Sequence, residues 1–274
     1  MKKLGFGLMR LPLINQDDTT SVDIEAVKRM ADTFMAKGFT YFDTAAPYHR
    51  GQSEVAFREA VAKRYPRNSY TITDKLSLFM LKSEEDFQLF FDAQLERLGV
   101  EDVDYYWLHG LGGPSYRQAE KQHAFAFIQR LKAEGKVKHI GLSYHDKAAL
   151  LDEILTKHPE MEYVQLQLNY LDWEDPTVES QKCYEVATKH RKPLIVMEPI
   201  KGGSLVNIPE EAVRLYHNYA PDMSVASWAI RFAASPDNVM MVLSGMSSQT
   251  QMKDNIGYME SFHAMNQQEL STVE

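Results

Sequence analysis

Apolar residues recur along this chain in two rhythms that take turns. Short runs rich in β-branched and aromatic residues stand at 4–9 (LGFGLM), 39–43 (FTYFD), 70–75 (YTITDK) and 103–109 (VDYYWLH). They return at 137–143 (VKHIGLS), 163–169 (YVQLQLN), 193–198 (PLIVME) and 238–244 (NVMMVLS). Runs of that length and texture predict strands. Between them, apolar positions fall three and four apart at 22–38, 53–65, 83–99, 116–135 and 224–235, the spacing of an amphipathic helix. The 83–99 stretch carries its own boundaries: Ser83 as cap, acidic residues in the first turn, Arg97 near the end and Gly99 beyond it.

Eight strands alternating with helices predict an α/β protein of the (β/α)8 TIM-barrel class, as a single domain over 1–274. The competing architecture is a doubly wound open sheet, which would carry G-x-G-x-x-G at a strand–helix turn. Here Gly5 and Gly7 are followed by Leu8 and the motif is not completed.

Composition narrows the function. With 274 residues, 44% of them hydrophobic, the chain can build a real core. A net charge of -8 and a pI of about 5.6 speak against nucleic-acid binding. They leave room for a phosphate-bearing ligand held locally by backbone amides. The lone Cys183 excludes an internal disulfide and disfavours a cysteine zinc site, and no metal is expected. Gly5, Gly7, Arg10 and Pro12 interrupt the N-terminal apolar stretch, so no signal peptide is predicted. No apolar run approaches the about 18 residues a membrane span needs. Cytoplasm is the expected location; the sequence gives no oligomeric state.

Candidate chemistry follows from the barrel. Active sites on this fold lie at the C-terminal ends of the strands. Asp43, Lys75 and His109 each end a predicted strand, and Tyr48 lies in the loop after Asp43. Singly, these are ordinary turn, surface and packing residues. Together they form a coherent set. An ammonium beside a phenol stabilises its anion and lowers its pKa, giving a general acid usable near neutrality. A carboxylate holds the ammonium, and an imidazole can orient a carbonyl oxygen. Neither an acyl nucleophile nor a metal is required.

Through these residues, in FDTAAPYHRGQSE, TITDKL and YWLHGL, the chain resembles the aldo-keto reductases over essentially its whole length. The resemblance implies Tyr48 as the acid in reduction and the base in oxidation, Lys75 as its tuner, Asp43 as the partner of Lys75, and His109 as the group that orients the carbonyl or assists proton transfer. It also implies NADP(H) or NAD(H) bound without a glycine fingerprint, and a small-molecule carbonyl substrate. By position, the cofactor would meet Gly7, Met9, Arg10 and Asp43, then Ser143 and Gln165 (with Gln167 as the alternative) at the carboxamide. Lys201, Gly202, Gly203 and Leu205 would cover the diphosphate. Gly245, Met246, Ser247, Ser248, Gln251 and Asn255 would hold the adenosine end.

Several positions depart from the family pattern. Tyr144 stands where an asparagine is common, and Met197 where an aromatic ring often stacks on the nicotinamide. Gln251 stands where a basic residue favours NADP, and another such residue, often found near Gly245, is absent, so weak selectivity for NADP over NAD is expected. The branch resembled often adds a C-terminal iron–sulfur domain; with Cys183 alone, no cluster is expected. The substrate mouth is expected to carry Trp107 or Leu108, Tyr144, and residues of 111–116 and 170–173. The competing reading is a regulatory subunit that holds the cofactor and turns over little.

Overall fold

The computed structural model describes residues 2–273. Eight strands close into one parallel barrel in chain order: β1 (Leu4–Gly7), β2 (Tyr41–Asp43), β3 (Thr71–Leu76), β4 (Val103–Leu111), β5 (Val137–Tyr144), β6 (Tyr163–Gln167), β7 (Leu194–Met197) and β8 (Val239–Ser244). All eight predicted strands are there. The helices are α1 (Ile24–Ala36), α2 (Gln52–Phe57), α3 (Phe87–Leu98), α4 (Gly113–Lys121), α5 (Ala124–Ala133) and α6 (Ala148–Lys157). They continue as α7 (Ser180–Lys189), α8 (Glu210–Tyr219), α9 (Val225–Ala234), α10 (Gln249–Met259) and α11 (Gln267–Val273). No helix among the described residues is long and apolar enough to cross a membrane.

Two helical predictions need correction. The single helix expected over 116–135 is two, α4 and α5, separated at His123, whose φ is +55°. Gln122 donates its side-chain amide to Lys82 O (2.9 Å), tying the break to a neighbouring loop. The helix expected over 53–65 is a short α-helix that widens into a π turn at Arg58–Ala62. The 83–99 element matches closely, with Ser83 in a capping box and Gly99 left-handed at the C-terminus.

Strand alternation sorts the core into two layers. Outward residues such as Ile72, Tyr106, Leu108 and Val196 pack under the helices. Inward ones fill the barrel: Tyr41, Tyr105, Trp107, Ile195, Met241 and Leu243. Gly141 makes this filling possible. A Cβ there would stand 2.3 Å from Tyr163 O and 2.7 Å from the Trp107 ring, so only glycine lets the indole occupy the axis. The plugged interior leaves the C-terminal mouth as the place for chemistry.

Candidate active site

Asp43 is the last residue of β2, and Lys75 lies near the end of β3 with its side chain turned into the barrel. Both are buried. Lys75 Nζ donates to Asp43 Oδ1 (2.6 Å) and to Thr44 O (2.7 Å). Tyr48 enters from the loop above, with its ring centre 4.9 Å from Lys75 Nζ. That loop is held in a demanding shape: His49 and Arg50 have φ of +49° and +53°, a conformation that side chains adopt at some cost. His49 locks it, accepting from Leu11 N (3.1 Å) and bonding Thr19 O through Nδ1 (2.7 Å). His109, on β4, places its ring 6.0 Å from that of Tyr48 at 84°. Its Nδ1 meets Ser77 Oγ at 2.6 Å. We assign the serine as donor, which leaves the imidazole proton on Nε2.

Burial sets the protonation of this group. It pushes the His109 imidazole down to about 3, with the Lys75 charge adding to the effect, so the ring is neutral at pH 7. Burial is the largest single influence on the Lys75 ammonium and works against it, but Asp43, Tyr48 and Asp74 together outweigh it and the lysine stays charged. The Asp43 carboxyl is raised by burial against the pull of Lys75. Tyr48 corrects the sequence-based expectation. Lys75 does lower the phenol, yet burial outweighs it and the net shift is upward. The hydroxyl therefore stays protonated through neutral pH, as a donor.

The His109 shift has a consequence for stability. Its folded pKa lies below the ordinary 6.5. Below 6.5 the unfolded chain takes up a proton that the folded chain refuses, so stability falls with pH until about 3. We expect His109→Gln, which keeps a polar side chain without a titrating one, to flatten urea-measured stability between pH 6.5 and pH 4 relative to wild type. Parallel slopes in the two proteins would contradict this assignment.

The four side chains meet at one end of a cavity of about 500 Å³. Gly7, Met9, Arg10, Ser143, Gln165, Met197, Gly202, Gly203, Gly245, Met246, Ser247, Gln251 and Asn255 line it too. Lys201 and Leu205 do not. Asp172 is fully buried and takes donors from Gln167 (2.7 Å), Asn169 (2.7 Å) and Lys201, and this demand draws the lysine away from the cavity. Leu205 packs into the protein and Val206 lines the cavity instead. In the same network Gln167 serves Asp172, whereas Gln165 lines the cavity.

The expected mouth also differs. Trp107 and Leu108 are wholly buried, on opposite faces of β4. Tyr144 points outward and donates to Lys147 O (2.6 Å). A second cavity of about 410 Å³ opens beside Tyr48 and His109, lined by Met9, Pro47, His49, Phe79 and Gly110. Sequence reasoning missed His145, Glu198 and Asp254 in the main cavity, and Ser77 behind His109. His145 was findable, since it lies two residues beyond the inward-facing Ser143.

The main cavity suits a nicotinamide dinucleotide. Gln165 is buried with its Oε1 unpartnered, an acceptor suited to a carboxamide. Ser143 Oγ accepts from Gly110 N (2.7 Å) and keeps its own proton to give. Gly202 and Gly203 have φ of +65° and +100°, and Gly202 brings bare backbone beside the Arg10 guanidinium. No three or more His, Cys, Asp or Glu among the described residues are grouped to hold a metal.

Residues 3–274 match the family described as "Aldo/keto reductase family". Among curated relatives, a probable aldo-keto reductase 1 of Glycine max is 30% identical over 151 residues, covering 52% of this chain and 41% of that protein. An aldo-keto reductase of Mycolicibacterium vanbaalenii is 29% identical over 257 residues, 89% of this chain and 84% of the relative. An NADH-specific methylglyoxal reductase of Escherichia coli is 26% identical over 152 residues, 49% of this chain and 45% of its own. Two of these three matches thus span less than half of the relative. Among solved structures, an aldo-keto reductase from Bacillus halodurans superposes with a TM-score of 0.77 at 22% identity, covering 99% of this chain and 90% of that one.

Proposed function

The chain belongs to the aldo/keto reductase family, and from that premise we propose that it reduces a small aldehyde or ketone to an alcohol using NAD(P)H. The observation that carries the reading is the buried Asp43–Lys75 pair set against the Tyr48 phenol, with a neutral His109 beside it, at one end of a dinucleotide-sized cavity. Bound in this cavity, the cofactor would supply the hydride for the carbonyl carbon. Gln165 and Ser143 would hold its carboxamide, and Arg10 with the Gly202–Gly203 backbone would cover its diphosphate. Tyr48 gives its hydroxyl proton to the carbonyl oxygen. His109 Nε2–H donates to that oxygen and holds it toward Tyr48. Lys75 stabilises the phenolate that remains, and Asp43 keeps the ammonium in place.

The second cavity is the substrate side. Met9, Pro47 and Phe79 give it apolar walls. Both ring nitrogens of His49 are engaged by backbone groups, and neither lysine nor arginine lines it. A neutral, apolar carbonyl compound fits this lining better than one bearing a carboxylate or phosphate. The test follows oxidation of NADPH and NADH with a panel of carbonyl compounds of both kinds. Tight cofactor binding without turnover of any carbonyl would favour a cofactor-holding regulatory role instead.

Cofactor choice is read from the adenosine end. Gln251 is occupied, accepting from Ser247 N (2.7 Å), and the carboxylate of Asp254 lines the cavity nearby. With Gln251 in place of a basic residue, a 2′-phosphate there lacks the charge-assisted hydrogen bond, worth about 1.5–3 kcal/mol, that such a residue would give it, and Arg10, packed against Gly245, is assigned to the diphosphate. NADH is therefore expected to bind at least as tightly as NADPH. Dissociation constants from quenching of protein fluorescence check this; a large preference for NADPH would refute it.

A further inference from the structure

The outer face of β3 carries a buried polar network that the reaction itself does not use. Asp74 alternates with Lys75, so its side chain leaves the barrel on the side away from the cavity. Its Oδ1 accepts from the peptide N–H of Lys75 (2.8 Å). The carbonyl of Lys75 accepts from Gln94 Nε2 (3.0 Å), and Gln94 Oε1 in turn accepts from Tyr106 OH (2.6 Å). Both peptide groups flanking the Lys75 α-carbon are thus held by side chains. Asp74, Gln94 and Tyr106 are all essentially without solvent exposure.

The Asp74 carboxyl lies close enough to Glu54 to feel its charge, and its Oδ2 has no hydrogen-bond partner. Glu54 is fully buried on α2 and is paired with Arg97 of α3. Burial, followed by the Glu54 charge, holds the Asp74 carboxyl far above its usual range. Gln94 and Arg97 stand three residues apart on α3, on one face toward β3. An entirely apolar filling would serve packing alone at lower cost, because buried polar groups must each find a partner. Here the partners converge on one backbone position, the one that carries the ammonium.

We propose that Asp74 and Gln94 are positioning residues for Lys75, clamping its backbone from outside the barrel so that Nζ stays between Asp43 and the Tyr48 ring. The clamp is a statement about geometry. Only its kinetic consequence rests on the carbonyl-reductase reading. With the clamp released, Lys75 drifts from Asp43 and Thr44 and supports the Tyr48 phenolate less well. Misplacement of about 1 Å can cost about a hundredfold in rate.

The experiment uses the full chain labelled with 15N at lysine Nζ. A buried, hydrogen-bonded ammonium exchanges slowly enough to be observed, and the Lys75 signal is identified by its loss in Lys75→Met. We expect Gln94→Leu and Asp74→Leu to shift or broaden that signal, and Asp74→Asn, which keeps an acceptor for the Lys75 N–H, to bring it back most of the way. We expect kcat for carbonyl reduction to fall in the two leucine variants at unchanged carbonyl KM, and to recover in step with the signal. Tyr106→Phe removes only the anchor of Gln94 and serves if the leucine variants fold poorly; a smaller shift in the same direction is expected. An unmoved Lys75 signal in the folded variants would overturn the proposal. A responsive signal in a protein that turns over no carbonyl would uphold the clamp and refute the functional reading.

Discussion

Replacing Tyr48 by phenylalanine is expected to abolish carbonyl reduction, lowering kcat by about two to four orders of magnitude, the range general acid catalysis contributes. Cofactor binding should survive. Among the groups around the carbonyl position, Tyr48 is the donor with a transferable proton. Lys75 is committed to Asp43 and Thr44. His109 is neutral, and its protonated form is out of reach because burial holds the imidazole down to about 3. Burial raises the phenol more than Lys75 lowers it, so Tyr48 is fully protonated at pH 7 and needs no shift to act as a donor. Reduction should be indifferent to pH across neutrality, whereas alcohol oxidation, which needs the phenolate, should rise as the medium becomes alkaline. Single-turnover absorbance of the reduced cofactor separates the chemical step from release. Retention of more than a tenth of wild-type kcat in Tyr48→Phe would shift the proton donor to His109 or to water.

The strands were legible because their apolar runs are short, uniform and punctuated, and the barrel followed from their number and order. The meeting of Asp43, Tyr48, Lys75 and His109 was legible for the same reason, since strand ends on this fold share one mouth. What failed was a matter of faces and burial. Alternation puts Trp107 on the same side as His109 but two residues deeper, inside the plug, and turns Tyr144 away from Ser143. The direction of the Tyr48 shift was not legible, because spacing along the chain places a charge beside a phenol without telling how dry the phenol is. Lys201 escaped for a different reason. Its partner, the fully buried Asp172, is brought to it only by folding.

Lys75→Met is expected to damage both stability and catalysis, and a second substitution should separate the two. The lysine is buried, and Asp43 Oδ2 already has no hydrogen-bond partner. Removing the ammonium strips the donor from Oδ1 as well and leaves an isolated carboxylate in a dry site. Breaking a buried pair in this way costs about 3–5 kcal/mol. The cost is reduced only if Asp43 takes up a proton, toward which burial already biases it. Catalysis suffers independently, because the Tyr48 phenolate loses its cation. Adding Asp43→Asn removes the stranded charge and should recover much of the lost stability, seen as the midpoint of urea unfolding. It should recover none of the activity, because the phenolate remains unsupported. The double variant thus decides what the pair is for. Stability returning alone means that the ammonium acts on Tyr48. Stability and turnover returning together would mean that Lys75 only neutralises Asp43, and that the proton leaves Tyr48 without its help.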